Sequence, residues 1–474
     1  MRPFITLAVA TAAIGASAIN LLERRDGNAL RVVQHEIQRR HVADPMQRDR
    51  NRMRKRGTSG TVQEVLNNEE TLYFMNVTVG TPAQDVRLHI DTGSSDLWLN
   101  VASSQLCSET GNPCSAGGTY NPNSSTTYHY LNSYFNITYV DGSGSSGDYA
   151  TDVVRFGGVT LENQQLGIGY TSSTQDGIIG IGYPINEVAT QYTNGVPYPN
   201  VPWSLVINND INTNAYSLWL NDLDASTGSI LFGGVNTDKY IGTLESVPVI
   251  TEQGVYAEFI IALTAVGVNG TTGSLASNLA SPALLDSGSS LMYLPDSVTS
   301  KIYSATGAQY SSSSGAAFID CAAANSDLTL DFTFSSPTIR VPMNELVLVA
   351  GYDRNQPVCI LGIMPAGSST PVLGDTFLRS AYVVYDMHTN EISLAQTNFN
   401  STTNNILEIT NSTGVPSATA VANPVTNVAV QSGAARLEGM PTGVTSSGFA
   451  MPTAATGYNL ALVGALGGAV AMVL

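Results

Sequence analysis

Asp91-Thr92-Gly93-Ser94-Ser95 is repeated later in the chain as Asp286-Ser287-Gly288-Ser289-Ser290. Each copy follows an apolar run, Val86, Leu88 and Ile90 in the first and Ala283, Leu284 and Leu285 in the second. Each is answered downstream by two apolar residues and a glycine, Ile178-Ile179-Gly180 and then Val372-Leu373-Gly374. The closing glycines stand 89 residues after Asp91 and 88 after Asp286. One Asp-Ser/Thr-Gly triplet is ordinary turn chemistry, because Asp bonds its own backbone and Gly tolerates positive φ. Two copies with the same Ser-Ser extension and matched glycines mark an internal repeat. A chain carrying one unit twice can bring its two aspartates together at a pseudo-twofold axis.

The rest of the chain fits that frame. Its 474 residues can hold more than one domain and a large core. Short Val/Ile/Leu/Tyr runs punctuated by Gly, Asn and Asp read as mostly β. Residues 1–56 hold 12 of the 20 Lys and Arg but only 5 of the 37 acids, so the remainder carries a net charge of −24. A body this acidic is a poor partner for nucleic acid. It suits an acid medium, where carboxylates neutralise and self-repulsion falls.

Met1 to Ala18 has the form of a secretory signal: Arg2, an apolar stretch too short to span a membrane, and Ala16-Ser17-Ala18 as a small-x-small cleavage site. The four cysteines are then expected to be oxidised, and they allow three connectivities. The local choice, Cys107 with Cys114 and Cys321 with Cys359, places one bridge in each repeat. Asn76, Asn123, Asn136, Asn269, Asn400 and Asn411 head Asn-x-Ser/Thr sequons, compatible with a secreted glycoprotein. Residues 19–56 are polar and basic, end in Arg54-Lys55-Arg56, and read as a removable pro-segment whose Lys or Arg would occlude an acidic cleft near neutral pH. The globular body is expected over 57–398, divided into lobes 57–247 and 248–398.

After Phe399 the composition turns to Ser, Thr, Asn, Pro, Gly and Ala, and residues 399–446 read as a stalk. Leu460–Leu474 is apolar and uncharged but shorter than the about 20 residues a spanning helix needs. Small residues Ser446-Ser447-Gly448, a spacer and this tail fit a GPI-attachment signal over 447–474, with Ser446 the attachment point. The alternative is a plain secreted tail. The chain is thus expected as a monomer on the extracellular side of the plasma membrane or wall, held to the outer leaflet by lipid.

Two carboxyls held about 3 Å apart cannot both ionise, so such a pair shares one proton. It then supplies both the base that activates water and the acid that protonates a carbonyl or leaving amine, without metal or cofactor. The proton belongs to the pair rather than to Asp91 or Asp286 singly. Gly93 and Gly288 let the backbones approach closely. The Thr92 and Ser287 hydroxyls can bond across the axis, and those of Ser94 and Ser289 can bond the outer carboxylate oxygens. This is the machinery of acid-pH peptide-bond hydrolysis, with proteins and peptides as substrates.

On these residues the chain resembles the pepsin-like aspartic proteases over about residues 70–398. The resemblance runs through Asp91-Thr-Gly-Ser-Ser-Asp-Leu-Trp98, Asp176-Gly-Ile-Ile-Gly180, Asp286-Ser-Gly-Ser-Ser290 and Leu373-Gly-Asp-Thr-Phe377. It implies an all-β, bilobed fold of two pseudo-twofold-related lobes with a cleft between them, and an endopeptidase with no cofactor. It also implies a flap hairpin in Ile137-Thr138-Tyr139-Val140-Asp141-Gly142-Ser143, with Tyr139 the flap tyrosine and Trp98 its partner. Asp141 would place a carboxylate over the cleft. Together with the GPI-like tail, that resembles the yapsin-type fungal proteases, which prefer Lys or Arg near the cut. The short Cys107–Cys114 loop lacks the long acidic insertion of several yapsins, which speaks against strict dibasic specificity. Asp286-Ser-Gly in place of Asp-Thr-Gly keeps the hydroxyl.

Other patterns carry less. Gly142-Ser-Gly-Ser-Ser-Gly147 satisfies GxGxxG, but Asp148-Tyr-Ala-Thr-Asp-Val-Val reads as strand where a dinucleotide site needs helix. Asp210-Ile-Asn212-Thr-Asn214 opens like a calcium loop but has Ala215 and Asn221 where Gly and Glu are needed. His89 sits beside the Asp91 strand, pointing away from Leu88 and Ile90, and reads as structural. Two rivals remain: a catalytically silent wall glycoprotein or binding module on the same fold, and a freely secreted digestive protease without an anchor.

Overall fold

The computed structural model describes residues 30–42, 70–139, 143–225 and 227–428. Strands dominate, and the α-helices among these residues are Val201–Ile207, Asp296–Thr306 and Asp375–Leu378. The repeat appears as one local arrangement built twice. Strand Gln84–Asp91 pairs in parallel with Gly177–Gly180, setting Ile90 opposite Ile179 and Asp91 opposite Gly180. Leu97–Asn100 lies antiparallel on the other side of Gly177–Gly180. In the second copy Ser281–Leu285 pairs in parallel with Val372–Leu373, and Met292–Leu294 lies antiparallel beyond it.

In each copy, therefore, the chain leaves the aspartate strand, turns through the triplet and returns two places away. The downstream apolar pair fills the gap. That insertion explains the matched glycines. A Cβ on Gly180 would lie 2.6 Å from the Ser95 nitrogen, and one on Gly374 2.3 Å from the Ser289 oxygen, closer than any side chain tolerates.

A sheet of fourteen strands runs from the C-terminal strand Ala418–Ala420 to the edge strand His129–Thr138. Its middle strands, among them Ala215–Trp219, Thr227–Phe232 and Ala381–Asp386, join the two lobes. The second lobe adds sheets of five, four and four strands. Below the two triplets the lobes meet on an aromatic floor. Phe259 and Tyr385 pack edge to face with centroids 4.7 Å apart, and Tyr216 stacks on Tyr385 at 5.0 Å.

Two segments that composition set outside the body are docked on its sheets. Val33–Val42, within the basic stretch 19–56, is a ten-residue strand in the large sheet. It pairs with Thr227–Phe232 on one side and Glu70–Val79 on the other. Val33 and Ile37 alternate into the core, Ile37 with no exposed surface. The second segment is the part of the expected stalk up to residue 428, which is docked rather than free. Ile406–Glu408 pairs with Gly234–Asn236, Ala418–Ala420 pairs with Tyr240–Pro248, and Ile409 is fully buried. Lys239 donates to the Ser401 carbonyl (2.6 Å) and lies over the Trp219 ring. Spaced apolar residues, Ile406, Ile409 and Val415, are enough to seat an otherwise polar strap. The expected lobe boundary at 247/248 falls inside the strand Tyr240–Pro248.

Both local disulfides form, Cys107–Cys114 and Cys321–Cys359. All six sequon asparagines are exposed. His89 is buried against Phe74, so both faces of its strand are covered. The GxGxxG segment leads into the strand Gly144–Phe156, and Ala215 begins a strand where the calcium loop would continue. The signal segment, Arg54–Arg56, Ser446 and 447–474 lie outside the described residues. No helix among the described residues is long and apolar enough to cross a membrane.

Candidate active site

Each triplet turns the same way and dresses its aspartate in the same hydrogen bonds. The Gly93 N–H donates to Asp91 Oδ1 (2.9 Å) and the Ser94 hydroxyl to Oδ2 (2.6 Å). The Gly288 N–H donates to Asp286 Oδ1 (2.8 Å) and the Ser289 hydroxyl to Oδ2 (2.7 Å). The Asp turn is thus satisfied by its own glycine, and the following serine holds the outer oxygen.

The hydroxyls of the middle residues tie the loops to each other. Thr92 Oγ1 donates to the Leu285 carbonyl (2.9 Å) and accepts from the Ser287 N–H (3.0 Å). Ser287 Oγ donates to the Ile90 carbonyl (3.0 Å) and accepts from the Thr92 N–H (3.2 Å). Four buried bonds therefore cross the axis, two from each side. They bring Gly93 against the opposite carboxyl, where a Cβ would sit 2.6 Å from Asp286 Oδ1. Gly93 thus touches both carboxyls, one through its N–H and the other through its α-carbon.

Asp91 has no exposed surface and Asp286 is 6% exposed. Beneath them, burial pushes the Tyr216 and Tyr385 hydroxyls far up, and the Asp91 charge adds for Tyr216 and Asp286 for Tyr385. The floor is therefore neutral and apolar.

The hairpin of His129–Thr138 and Gly144–Phe156 is closed by the bond from the Tyr139 N–H to the Ser143 carbonyl (2.8 Å). Trp98 Nε1–H donates to Tyr139 Oη (2.7 Å), and both side chains are buried. Asp141 and Gly142, expected at the hairpin tip, lie outside the described residues. Of the sequence-derived candidates, Asp91, Thr92, Gly93, Ser94, Asp286, Ser287, Gly288 and Ser289 meet at one place, and Trp98 and Tyr139 are bonded together. Among the described residues no cluster of His, Cys, Asp and Glu is arranged to hold a metal ion.

The sequence reading missed the polar cluster behind Trp98. Asp96, fully buried, accepts from Tyr149 Oη (2.7 Å), Tyr198 Oη (3.1 Å) and the Val188 N–H (2.9 Å). Glu187, also fully buried, accepts from the Tyr198 N–H (2.8 Å). The signal within reach was Asp96 itself, an acid set between Ser95 and Leu97 in an otherwise uncharged strand entry.

Comparison with known proteins agrees with this architecture. Residues 72–397 match the model of a family described as eukaryotic aspartyl protease. The chain is 50% identical over 471 residues to a probable aspartic-type endopeptidase (opsB) of Aspergillus oryzae, covering 96% of each chain. It is 39% identical to secreted aspartic protease 8 of Candida albicans, over 72% of this chain and 79% of that one. Aspartic proteinase 3 of Saccharomyces cerevisiae is 32% identical over 76% of this chain and 75% of its own. Among solved structures, an aspartic proteinase from Irpex lacteus superposes with a TM-score of 0.58 at 25% identity, covering 70% of this chain and 96% of that one.

Proposed function

The chain belongs to the eukaryotic aspartyl protease family and is an aspartic-type endopeptidase of bilobed pepsin-like fold; from that premise we propose that Asp91 and Asp286 form its catalytic dyad. The observation that carries this is the mirrored set of hydrogen bonds on the two carboxyls, with Gly93 touching both. Carboxyls so placed share one proton, and the ionised member takes a proton from water while the neutral one protonates the scissile carbonyl. Tyr139 closes over the substrate, held by Trp98. The single shared proton makes the enzyme an acid protease.

The finer reading is a secreted zymogen held at the cell surface by a GPI lipid through Ser446, cutting near Lys or Arg. The signal-like start, the basic segment 19–56 and the apolar C-terminus support it. Similarity to the secreted aspartic protease 8 of Candida albicans supports the secretion part of it. The Asp141 carboxylate would supply the charge for a basic side chain.

The test is peptide-library cleavage at about pH 4 by the secreted protein and its Asp91→Asn variant, with and without pepstatin. Pepstatin-sensitive cuts absent from Asp91→Asn establish the dyad. No cuts at any acid pH would favour the silent scaffold. The basic preference fails if Asp141→Asn leaves selection for Lys and Arg unchanged, and the anchor fails if phospholipase releases nothing from cells.

A further inference from the structure

Asp96 and Glu187 are two fully buried acids whose hydrogen bonds interlock. Tyr198 donates its hydroxyl to Asp96 and its N–H to Glu187, and the residue after Glu187 donates its N–H to Asp96. The partners are unequally shared. Asp96 receives three donors and is satisfied as a carboxylate. Glu187 receives one on Oε2, and its Oε1 has no hydrogen-bond partner among the described residues. A buried, bare carboxylate oxygen next to a second carboxylate is costly, whereas a carboxyl carrying a proton there is not.

The location ties this to the site. Val188, Ala189 and Tyr198 pack with Trp98, Ile137 and Tyr139 in one apolar cluster on the flap side. The same stretch of chain is strapped to the Asp91 turn, since the Ile181 N–H donates to the Asp91 carbonyl and the Gly182 N–H to that of Ser94. Whatever moves residues 183–198 therefore moves the wall on which Trp98 and Tyr139 rest.

We propose that Glu187 is a positioning residue that carries a proton. Its neutral carboxyl, buried against Asp96, holds the wall 183–198 in place in acid, and loss of that proton loosens the wall as pH rises. The groups that act on Glu187 are Asp96 after the Asp91 turn and the Tyr198 backbone; Tyr149, from the flap's return strand, acts through Asp96 and Tyr198. Burial raises the Glu187 carboxyl well above its usual range, the Asp96 charge adds to this, and the Tyr198 N–H opposes it. The sign follows. With a folded value above the unfolded one, the contribution is complete below the ordinary glutamate range and is lost as pH rises through the raised value.

This inference rests on placing the flap and its wall at Tyr139 and Trp98, but its test does not need activity. Full-length protein carrying Asp91→Asn, to prevent self-digestion, is compared with and without Glu187→Gln by hydrogen exchange at about pH 4 and about pH 7. Gln keeps the acceptor for Tyr198 and has no proton to lose. Protection factors of the Val188 and Tyr198 amides should fall about tenfold or more between the two pH values with Glu187 and stay nearly constant with Gln. An equal fall in both proteins, or no fall with Glu187, overturns the proposal. Asp96→Asn, which removes the opposing charge, should blunt the fall and carries the same test if Glu187→Gln does not fold. Loss of protection at both pH values in Glu187→Gln would mean a packing role alone and would also overturn it.

Discussion

At Gly93 only a hydrogen stands between one triplet's backbone and the other's carboxyl. In Gly93→Ala the new methyl would meet Asp286 Oδ1 at 2.6 Å, so the carboxyls must separate. A displacement of that order should lower kcat by about a hundredfold or more while leaving the far-UV circular dichroism unchanged. Thr92→Val is a different kind of lesion. It keeps the shape but leaves the Leu285 carbonyl and the Ser287 N–H without their buried partner. That should cost about 2 kcal/mol or more of stability, read in a denaturant titration. These residues were legible in the sequence because each triplet encodes its own turn. Glu187 was not, because its place depends on Asp96 meeting a segment 92 residues further on.

The hairpin of His129–Thr138 and Gly144–Phe156 is stiffened next to its turn by the bond between Trp98 and Tyr139, inside an aromatic cluster that also holds Phe135 and Tyr149. Tyr139→Phe keeps the ring and removes the acceptor of the Trp98 N–H. Its expected effect is a loss of about 1–2 kcal/mol of stability, because a buried N–H is left unpaired, together with a five- to tenfold lower kcat/KM. The strand Val33–Val42 has its own response to acid. His35 lies in it beside Phe156, and burial pushes its imidazole down to about 4. Once the strand leaves the sheet, His35 titrates at its ordinary value near 6.5. Docking is therefore strongest above that value and weakens as pH falls through the interval to about 4, by up to about 3 kcal/mol. His35→Phe should keep the strand docked in acid. Proteolytic accessibility of residues 33–42 at pH values across the interval measures this, and equal accessibility in both proteins would refute it. The alternation Val33, His35, Ile37 was visible in the sequence, but the charge of the surrounding stretch concealed it.

At the scale of the whole molecule the polar strap after Phe399 clamps the joined lobes. It pairs with Gly234–Asn236 and Tyr240–Pro248, and the Val425 N–H reaches Ser335 Oγ in the second lobe (2.9 Å). Burial of Ile409 alone stabilises by about 1.5–3 kcal/mol. A chain ending at Phe399 should therefore melt several degrees lower than one ending at Val428, with the site chemistry otherwise intact. Equal melting temperatures would show the strap to be a passive passenger.

By itself the sequence determined the repeat, the two aspartates with their hydroxyl and glycine attendants, and the β character. All of these are written in neighbouring residues, as turn chemistry or period-two alternation. Only the tertiary structure decided that Thr92 and Ser287, 195 residues apart, exchange hydrogen bonds across the axis. It also decided that a basic segment supplies a central strand, that a polar tail closes the sheet, and that Glu187 lies buried beside Asp96. Those outcomes follow from which surfaces remain uncovered once the lobes have closed. That is a property of the assembled chain, and no local stretch of residues carries it.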